Sequence, residues 1–171
     1  MRTETTVIRE KTAADTEACV ALLRRVHARD GYPLYLPPDD EAGFLRPDHQ
    51  RAAWVAEQGG RIVGHVALHC PRENPTLSAA AAATGLPVDR LALVARLFTA
   101  PEVRRQGLGR ALLRHATARA PELGRRAVLD VGQRLPTAVA LYESEGWSRA
   151  GELRISLNES TVLDLWVYVS P

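Results

Sequence analysis

The sequence predicts a mixed α/β domain built on one sheet. Three observations carry that expectation. β-prone runs alternate with segments whose apolar residues recur at helical spacing. Two pairs of β-prone runs are joined by short turn sequences, the mark of antiparallel hairpins. One brief apolar run, residues 127–131, resembles a strand buried on both faces of a parallel pair.

The elements follow in order. Residues 5–9 (Thr-Thr-Val-Ile-Arg) form a first strand. Asp15 precedes a helix in which Cys19, Leu22, Leu23 and Val26 share one face, and Asp30-Gly31 closes it. Residues 32–38, with three prolines and two tyrosines, read as a loop, followed by a short helix near 39–45. Residues 52–57 and 61–70 flank Gln58-Gly59-Gly60, a hairpin signal. An irregular insert at 71–87 holds an alanine run that predicts one helix, and 91–99 is a long apolar strand. Residues 104–109 are basic and glycine-rich, and helical spacing resumes with Leu108, Ala111, Leu112, His115 and Ala116. After the strand at 127–131, a helix spans 136–144, with Pro136 tolerated in its first turn. Residues 147–157 and 161–169 form a closing hairpin around Asn158-Glu159-Ser160. The expected architecture is a mixed, mostly antiparallel sheet of about seven strands with about four helices.

At 171 residues the chain reads as a single domain, 1–171, with no linker and no repeat. Hydrophobic residues at 46% and charged residues at 25% exclude a disordered or fibrous chain. No apolar stretch approaches the roughly 18 residues that span a bilayer. Met1-Arg2-Thr3-Glu4 opens on polar residues without an apolar leader, so a cytoplasmic protein with no membrane partner is expected. Net charge is only +2, too mild for a nucleic-acid partner. Lys11 is the only lysine; the remaining basic charge is arginine. Cys19 and Cys70 sit far apart in apolar patterns, which predicts two buried thiols rather than a disulfide, and no metal cluster is visible.

The segment that carries chemistry is residues 97–113, which runs from strand through a proline turn and a glycine-rich basic loop into a helix. The first amides of a helix lack intrahelical partners, and the macrodipole adds about half a positive charge there. Gly107 and Gly109 allow that backbone to approach a pyrophosphate, and Arg104, Arg105 and Arg110 can neutralise phosphates. An ordinary strand-to-helix turn with solvated arginines is the plainer alternative. No Gly-Lys-Ser/Thr follows, and the glycine spacing is wrong for a dinucleotide fingerprint.

Arg104-Arg105-Gln106-Gly107-Leu108-Gly109 resembles the Arg/Gln-x-x-Gly-x-Gly/Ala signature of the GNAT superfamily of N-acetyltransferases. Residues 138–147 (Ala-Val-Ala-Leu-Tyr-Glu-Ser-Glu-Gly-Trp) resemble that superfamily's A-x-x-L-Y-x-x-x-G-F run. The element order fits over nearly the whole chain. The resemblance implies a sheet splayed at a central parallel pair and a donor, acetyl-CoA, entering the gap. Its pyrophosphate would lie on Arg104, Arg105, Gln106, Gly107, Leu108, Gly109 and Arg110, and its pantetheine arm along the backbone of Leu97, Phe98 and Thr99. The family often has Asn seven residues before its tyrosine; here that residue is Leu135.

The resemblance also places Tyr142 at the family's general-acid position, where a phenol with pKa about 10 holds a proton for a leaving thiolate. Taken alone, Tyr142 reads first as a core residue at helical spacing from Ala138. For the base, Asp130 stands in an apolar run and twelve positions before Tyr142, as an acidic residue does in the ribosomal-protein acetyltransferases of the superfamily. A structural carboxylate capping Gly132 or paired with an arginine is the alternative, and Glu57, His65 and His69 are rival bases. The expected activity is acetyl transfer from acetyl-CoA directly to a primary amine of a small molecule or peptide. A catalytically silent CoA-binding regulatory module is the alternative, and a longer acyl donor is a third reading. The loops at 32–38, 71–87 and 158–160 are expected to rim the acceptor side. A homodimer through the final hairpin, with Leu163, Leu165, Val167 and Val169 extending a partner's sheet, is a further expectation.

Overall fold

The computed structural model describes residues 4–171; Met1–Thr3, part of the polar opening noted above, lie outside that range. The strands are β1 (Thr6–Glu10), β2 (Gln50–Gln58), β3 (Arg61–His69), β4 (Leu91–Thr99), β5 (Arg126–Gly132), β6 (Ser148–Ser156) and β7 (Val162–Val169). The helices are α1 (Thr16–Asp30), α2 (Glu41–Leu45), α3 (Pro75–Thr84), α4 (Leu108–Arg119) and α5 (Pro136–Ser144). All seven strands belong to one mixed sheet ordered β1-β2-β3-β4-β5-β7-β6, with β4 and β5 parallel. The element sequence matches the expectation closely, and the insert helix is longer than its alanine run. Among the described residues no helix is long and apolar enough to cross a membrane.

The chain divides into two compact units. The first comprises residues 4–69 and 95–116. Here β1, β2 and β3 form an antiparallel meander. α1 turns Cys19, Leu22, Leu23 and Val26 inward, each at most 2% exposed, and ends on Gly31 in the left-handed conformation. Burying a leucine of this kind contributes about 1.5–3 kcal/mol. α4 buries Leu108, Leu112, Leu113 and Ala116, while Ala111 faces solvent. Gly64 in β3 makes room for it, since a Cβ there would come 2.8 Å from Leu112 Cδ1. Where β1 leads into α1, the buried Asp15 carboxylate accepts two bonds from Arg9, at 2.8 and 2.9 Å, and one from the Thr12 amide at 2.7 Å. These donors, Arg9 foremost, hold its carboxyl well below the usual range.

The second unit comprises residues 70–94 and 117–171. α3 begins at Asn74, whose side chain accepts from the Leu77 amide, with Pro75 in the first turn. It packs Leu77 and Ala80 against Leu91, Val128, Val167 and Val169. The parallel pairing of β4 with β5 covers Leu91–Leu93 against Arg126–Val128. β7 is hydrogen-bonded to β5 on one side and β6 on the other. The expectation that β7 could extend a partner's sheet is therefore corrected: a strand with both edges paired has no free ladder to offer, and β6 is the terminal strand. Cys19 and Cys70 are both buried thiols, not joined in a disulfide.

Two buried histidines make the fold acid-sensitive. Burial pushes His65 down to about 4 and His69 down to about 3, from an ordinary 6.5. As pH falls below 6.5, the unfolded chain takes up protons that the fold refuses. Their contribution is therefore complete above pH 6.5 and is lost as pH drops through the folded values. The unfolding free energy from urea denaturation, and with it the midpoint, is expected to be lower at pH 5 than at pH 7, by at most about 1.4 kcal/mol per histidine for each pH unit below 6.5. His69→Leu should flatten that dependence, and equal wild-type midpoints at the two pH values would contradict it.

Candidate functional site

In the first unit, the end of β4 is tied to its neighbour by the Ala100 amide, which donates to Val63 O at 2.8 Å. A single 3-10 turn, Pro101–Val103, buries Val103 and delivers the chain to the basic loop. Arg104, Arg105, Gln106 and Gly107 are all exposed. Arg105 (φ +63) and Gly107 (φ +76) both lie in the left-handed region. Gly107 O accepts the first bond of α4, from the Ala111 amide at 3.0 Å. By helix geometry the amides of Leu108, Gly109 and Arg110 then have no carbonyl of their own helix to meet. A Cβ added at Gly107 or Gly109 would meet nothing within 4 Å, so the approach to these amides is open.

Arg104 has a task within the protein. It pairs with Asp30 at the end of α1 and donates to Thr99 O at 3.3 Å, and this pairing lowers the Asp30 carboxyl. Beside it, Arg25 reaches Glu102 at 2.5 Å. Arg104 therefore anchors the loop, while Arg105 is exposed at its crest. Upstream, the side chain of Phe98 is buried and Leu97 and Thr99 are half-buried.

The second unit carries the acid and base candidates. Asp130 lies between Leu129 and Val131 in β5, and the Thr76 hydroxyl donates to its Oδ2 at 2.7 Å. This partner comes from the second residue of α3, which the alanine-rich insert gave no reason to single out. Asp130 pairs across the sheet with Val167, whose side chain is packed under α3, whereas Leu129 pairs with Tyr168. Strand alternation puts Asp130 on the face covered by α3 and Tyr168 on the opposite face. Tyr142 packs its ring on Tyr168 and on Trp147, both at 6.2 Å. Tyr168 Oη donates to Glu143 Oε1 at 2.8 Å and accepts from Arg149 at 3.2 Å. The Arg149 guanidinium lies 3.9 Å from the Trp166 ring centroid. This network secures the turn of α5 that presents Tyr142. Leu135, at the start of α5, covers Gly132, where an added Cβ would meet it at 3.3 Å.

The rival bases are engaged or suppressed. Glu57 accepts from Arg9 at 2.9 Å. His69 lies 3.2 Å from Gln50 Oε1 and edge-on to His49. His65 is fully buried, with Nδ1 2.8 Å from Arg96 O. Among the described residues no group of three or more His, Cys, Asp or Glu side chains is arranged to hold a metal ion.

A family model described as an acetyltransferase (GNAT) domain matches residues 48–149, more than half of the chain. The chain belongs to the GNAT acetyltransferase family. The matched stretch contains β4, the 104–110 loop, Asp130 and Tyr142. Human N-acetyltransferase 8 is 36% identical to this GNAT chain over 100 residues, covering 58% of the chain and 39% of the relative. N-acetyltransferase family 8 member 3 of Rattus norvegicus is 36% identical over 106 residues, covering 61% and 41%. The chain thus spans about two fifths of the length of these curated relatives. Among solved structures, the Escherichia coli ribosomal-protein-S18-alanine N-acetyltransferase aligns with a TM-score of 0.70 at 22% identity, covering 98% of this chain and 94% of that one. Arabidopsis thaliana NAA60, in complex with acetyl-CoA, aligns at 0.72 and 18% identity, covering 96% and 97%. At those identities the likeness shows the GNAT fold.

The two loop glycines of this GNAT domain differ in what they demand of the backbone. Gly107→Ala forces a Cβ into a left-handed position and should destabilise the protein by about 1–2 kcal/mol. Gly109→Ala lies in the first turn of α4 and should be neutral or stabilising by up to about 1 kcal/mol. Urea denaturation of the two variants checks this, and equal effects would contradict the loop conformation.

Proposed function

We propose that this chain is an N-acetyltransferase that moves an acetyl group from acetyl-CoA to a primary amine of a small molecule or peptide. The observation that carries the reading is the open start of α4: the first turn of a helix, an exposed left-handed glycine and an exposed arginine, directly after β4 and inside the matched GNAT region. Such a site suits a pyrophosphate, because amides and guanidinium converge where negative charge would rest. Arg105, Gly107, Leu108, Gly109 and Arg110 would hold the phosphates, with Gln106 beside them and Arg104 bracing the loop through Asp30. The backbone of Leu97, Phe98 and Thr99 would align the pantetheine arm. Bound there, acetyl-CoA supplies an activated acetyl thioester.

The chain's own residues then have two proton tasks. The Asp130 carboxylate takes the proton that the acceptor's ammonium must lose before its nitrogen lone pair can attack the thioester carbon, and Thr76 fixes the carboxylate's orientation. The ion pair of Glu57 with Arg9 and the burial of His65 and His69 count against those rivals. The Tyr142 phenol holds a proton for the departing sulfur, its ring placed by Tyr168 and Trp147.

Calorimetry with CoA tests the loop. Wild type should bind, and a Gly107→Asp, Gly109→Asp double variant should lose most of that affinity, because two carboxylates would occupy the phosphate position. Equal affinity in both proteins would overturn the placement. CoA binding without turnover on any amine in a screen for CoA release would indicate the silent regulatory module instead.

Single-turnover kinetics tests the proton tasks. Asp130→Asn should lower the rate by about 10²- to 10⁴-fold, with the loss shrinking at high pH, where free amine forms unaided. Tyr142→Phe should leave CoA affinity unchanged and slow the chemical step by about 10²-fold. A Phe variant as fast as wild type would reduce Tyr142 to a packing residue.

A further inference from the structure

β4 contains a backbone conformation that its sequence does not favour. Arg96 has φ +55 in the middle of the strand, a left-handed value that a residue bearing a Cβ adopts only where its surroundings impose it. Three contacts do so within the first unit. His65 Nδ1 donates to Arg96 O at 2.8 Å, Arg96 Nε donates to Phe44 O at 3.0 Å, and the guanidinium lies 3.6 Å from the Phe44 ring centroid. The first of these acts on the backbone of the distorted residue itself.

His65 is an unusual choice for a buried site. It has no exposed surface, it stacks on Phe98 at 5.2 Å with an interplanar angle of 14°, and its Nε2 is buried without a partner. A phenylalanine would fill the space and stack equally well without burying an unpaired nitrogen. What only the imidazole supplies is the Nδ1–H. Donation to a carbonyl requires that hydrogen, so the ring is the neutral Nδ1–H tautomer with its lone pair on Nε2.

We propose that His65 is a positioning residue that pins the turn at Arg96 and thereby sets the backbone of Leu97, Phe98 and Thr99 for the pantetheine arm of the cofactor. The proposal rests on the acetyl-CoA reading above. His65 acts through the Arg96 carbonyl on one side and through the Phe98 ring on the other, so it restrains this segment at two points. Ala100, bonded to Val63, closes the far end.

The test separates the arm from the nucleotide. Calorimetry compares CoA with 3′-phospho-ADP, which carries the pyrophosphate and lacks the arm, on wild type, His65→Phe and His65→Asn. The Phe variant keeps the stacking and loses the donor; the Asn variant keeps a donor at the Nδ1 position and loses the ring. His65→Phe should bind CoA about tenfold more weakly and 3′-phospho-ADP as wild type does, while His65→Asn should retain CoA affinity within about threefold. A Phe variant with wild-type CoA affinity would overturn the proposal, as would a folded Asn variant impaired as much as Phe. Should the Phe variant fail to fold, ¹⁵N spectra of wild-type histidines decide: the Nδ1–H tautomer is expected at pH 7, and the Nε2–H tautomer would overturn the pin. Wild type that binds neither compound would refute the reading of the loop, an outcome distinct from loss of the pin.

Discussion

The first amides of α4 have no carbonyls behind them, and the arrangement of the first unit depends on leaving them so. A buried helix start without partners would be intolerable, so this one must sit at the surface while the rest of its helix is held rigidly. The inward face of α4 does the holding, with Leu108, Leu112, Leu113 and Ala116 buried and Gly64 of β3 making room for Leu112. On the approach side, Ala100 is bonded to Val63 and Arg104 is bound to Asp30. The loop is thus fixed at both ends and open in front.

Much of this was legible in the sequence, for a specific reason. Glycines that close helices, hairpin turns and apolar periodicity are local signals, and α1, the β2–β3 hairpin, α5 and the basic loop all followed from them. The parallel pair was legible from the short apolar run of β5. What escaped is non-local. Thr76 meets Asp130 across 54 positions of chain, and Tyr168 meets Glu143 across 25. The left-handed Arg96 carries no local mark, since an arginine in a strand announces no turn, and its restraints come from β3 and α2, 31 and 52 positions away. The interior place of β7 was missed because an alternating strand looks the same whether one or both edges are paired.

The polar groups inside the structure divide by how they are satisfied. Asp15 is surrounded by donors and stays ionised, while His65 and His69, with apolar neighbours and nearby positive charge, stay neutral. In the second unit the phenol of Tyr168 is raised above its ordinary range by burial and by donating to Glu143. Donors keep Asp15 ionised and burial keeps the histidines neutral, and the bonds of His65, His69 and Tyr168 link elements far apart in the chain. The buried polar groups therefore specify which elements meet, where leucine and valine alone would permit several registers.

The near-absence of lysine has a chemical consequence. The ion pairs traced above among the described residues use arginine: with Asp15 and Glu57 at Arg9, with Glu102 at Arg25, with Asp30 at Arg104. Guanidinium keeps its charge and resists acylation under conditions where a fraction of lysine amines is free and nucleophilic. A protein steeped in an activated thioester would slowly lose lysine salt bridges to spontaneous amide formation. Here the electrostatic ties are made of a group that such a reagent leaves intact, and Lys11 is the one side-chain amine exposed to that attrition.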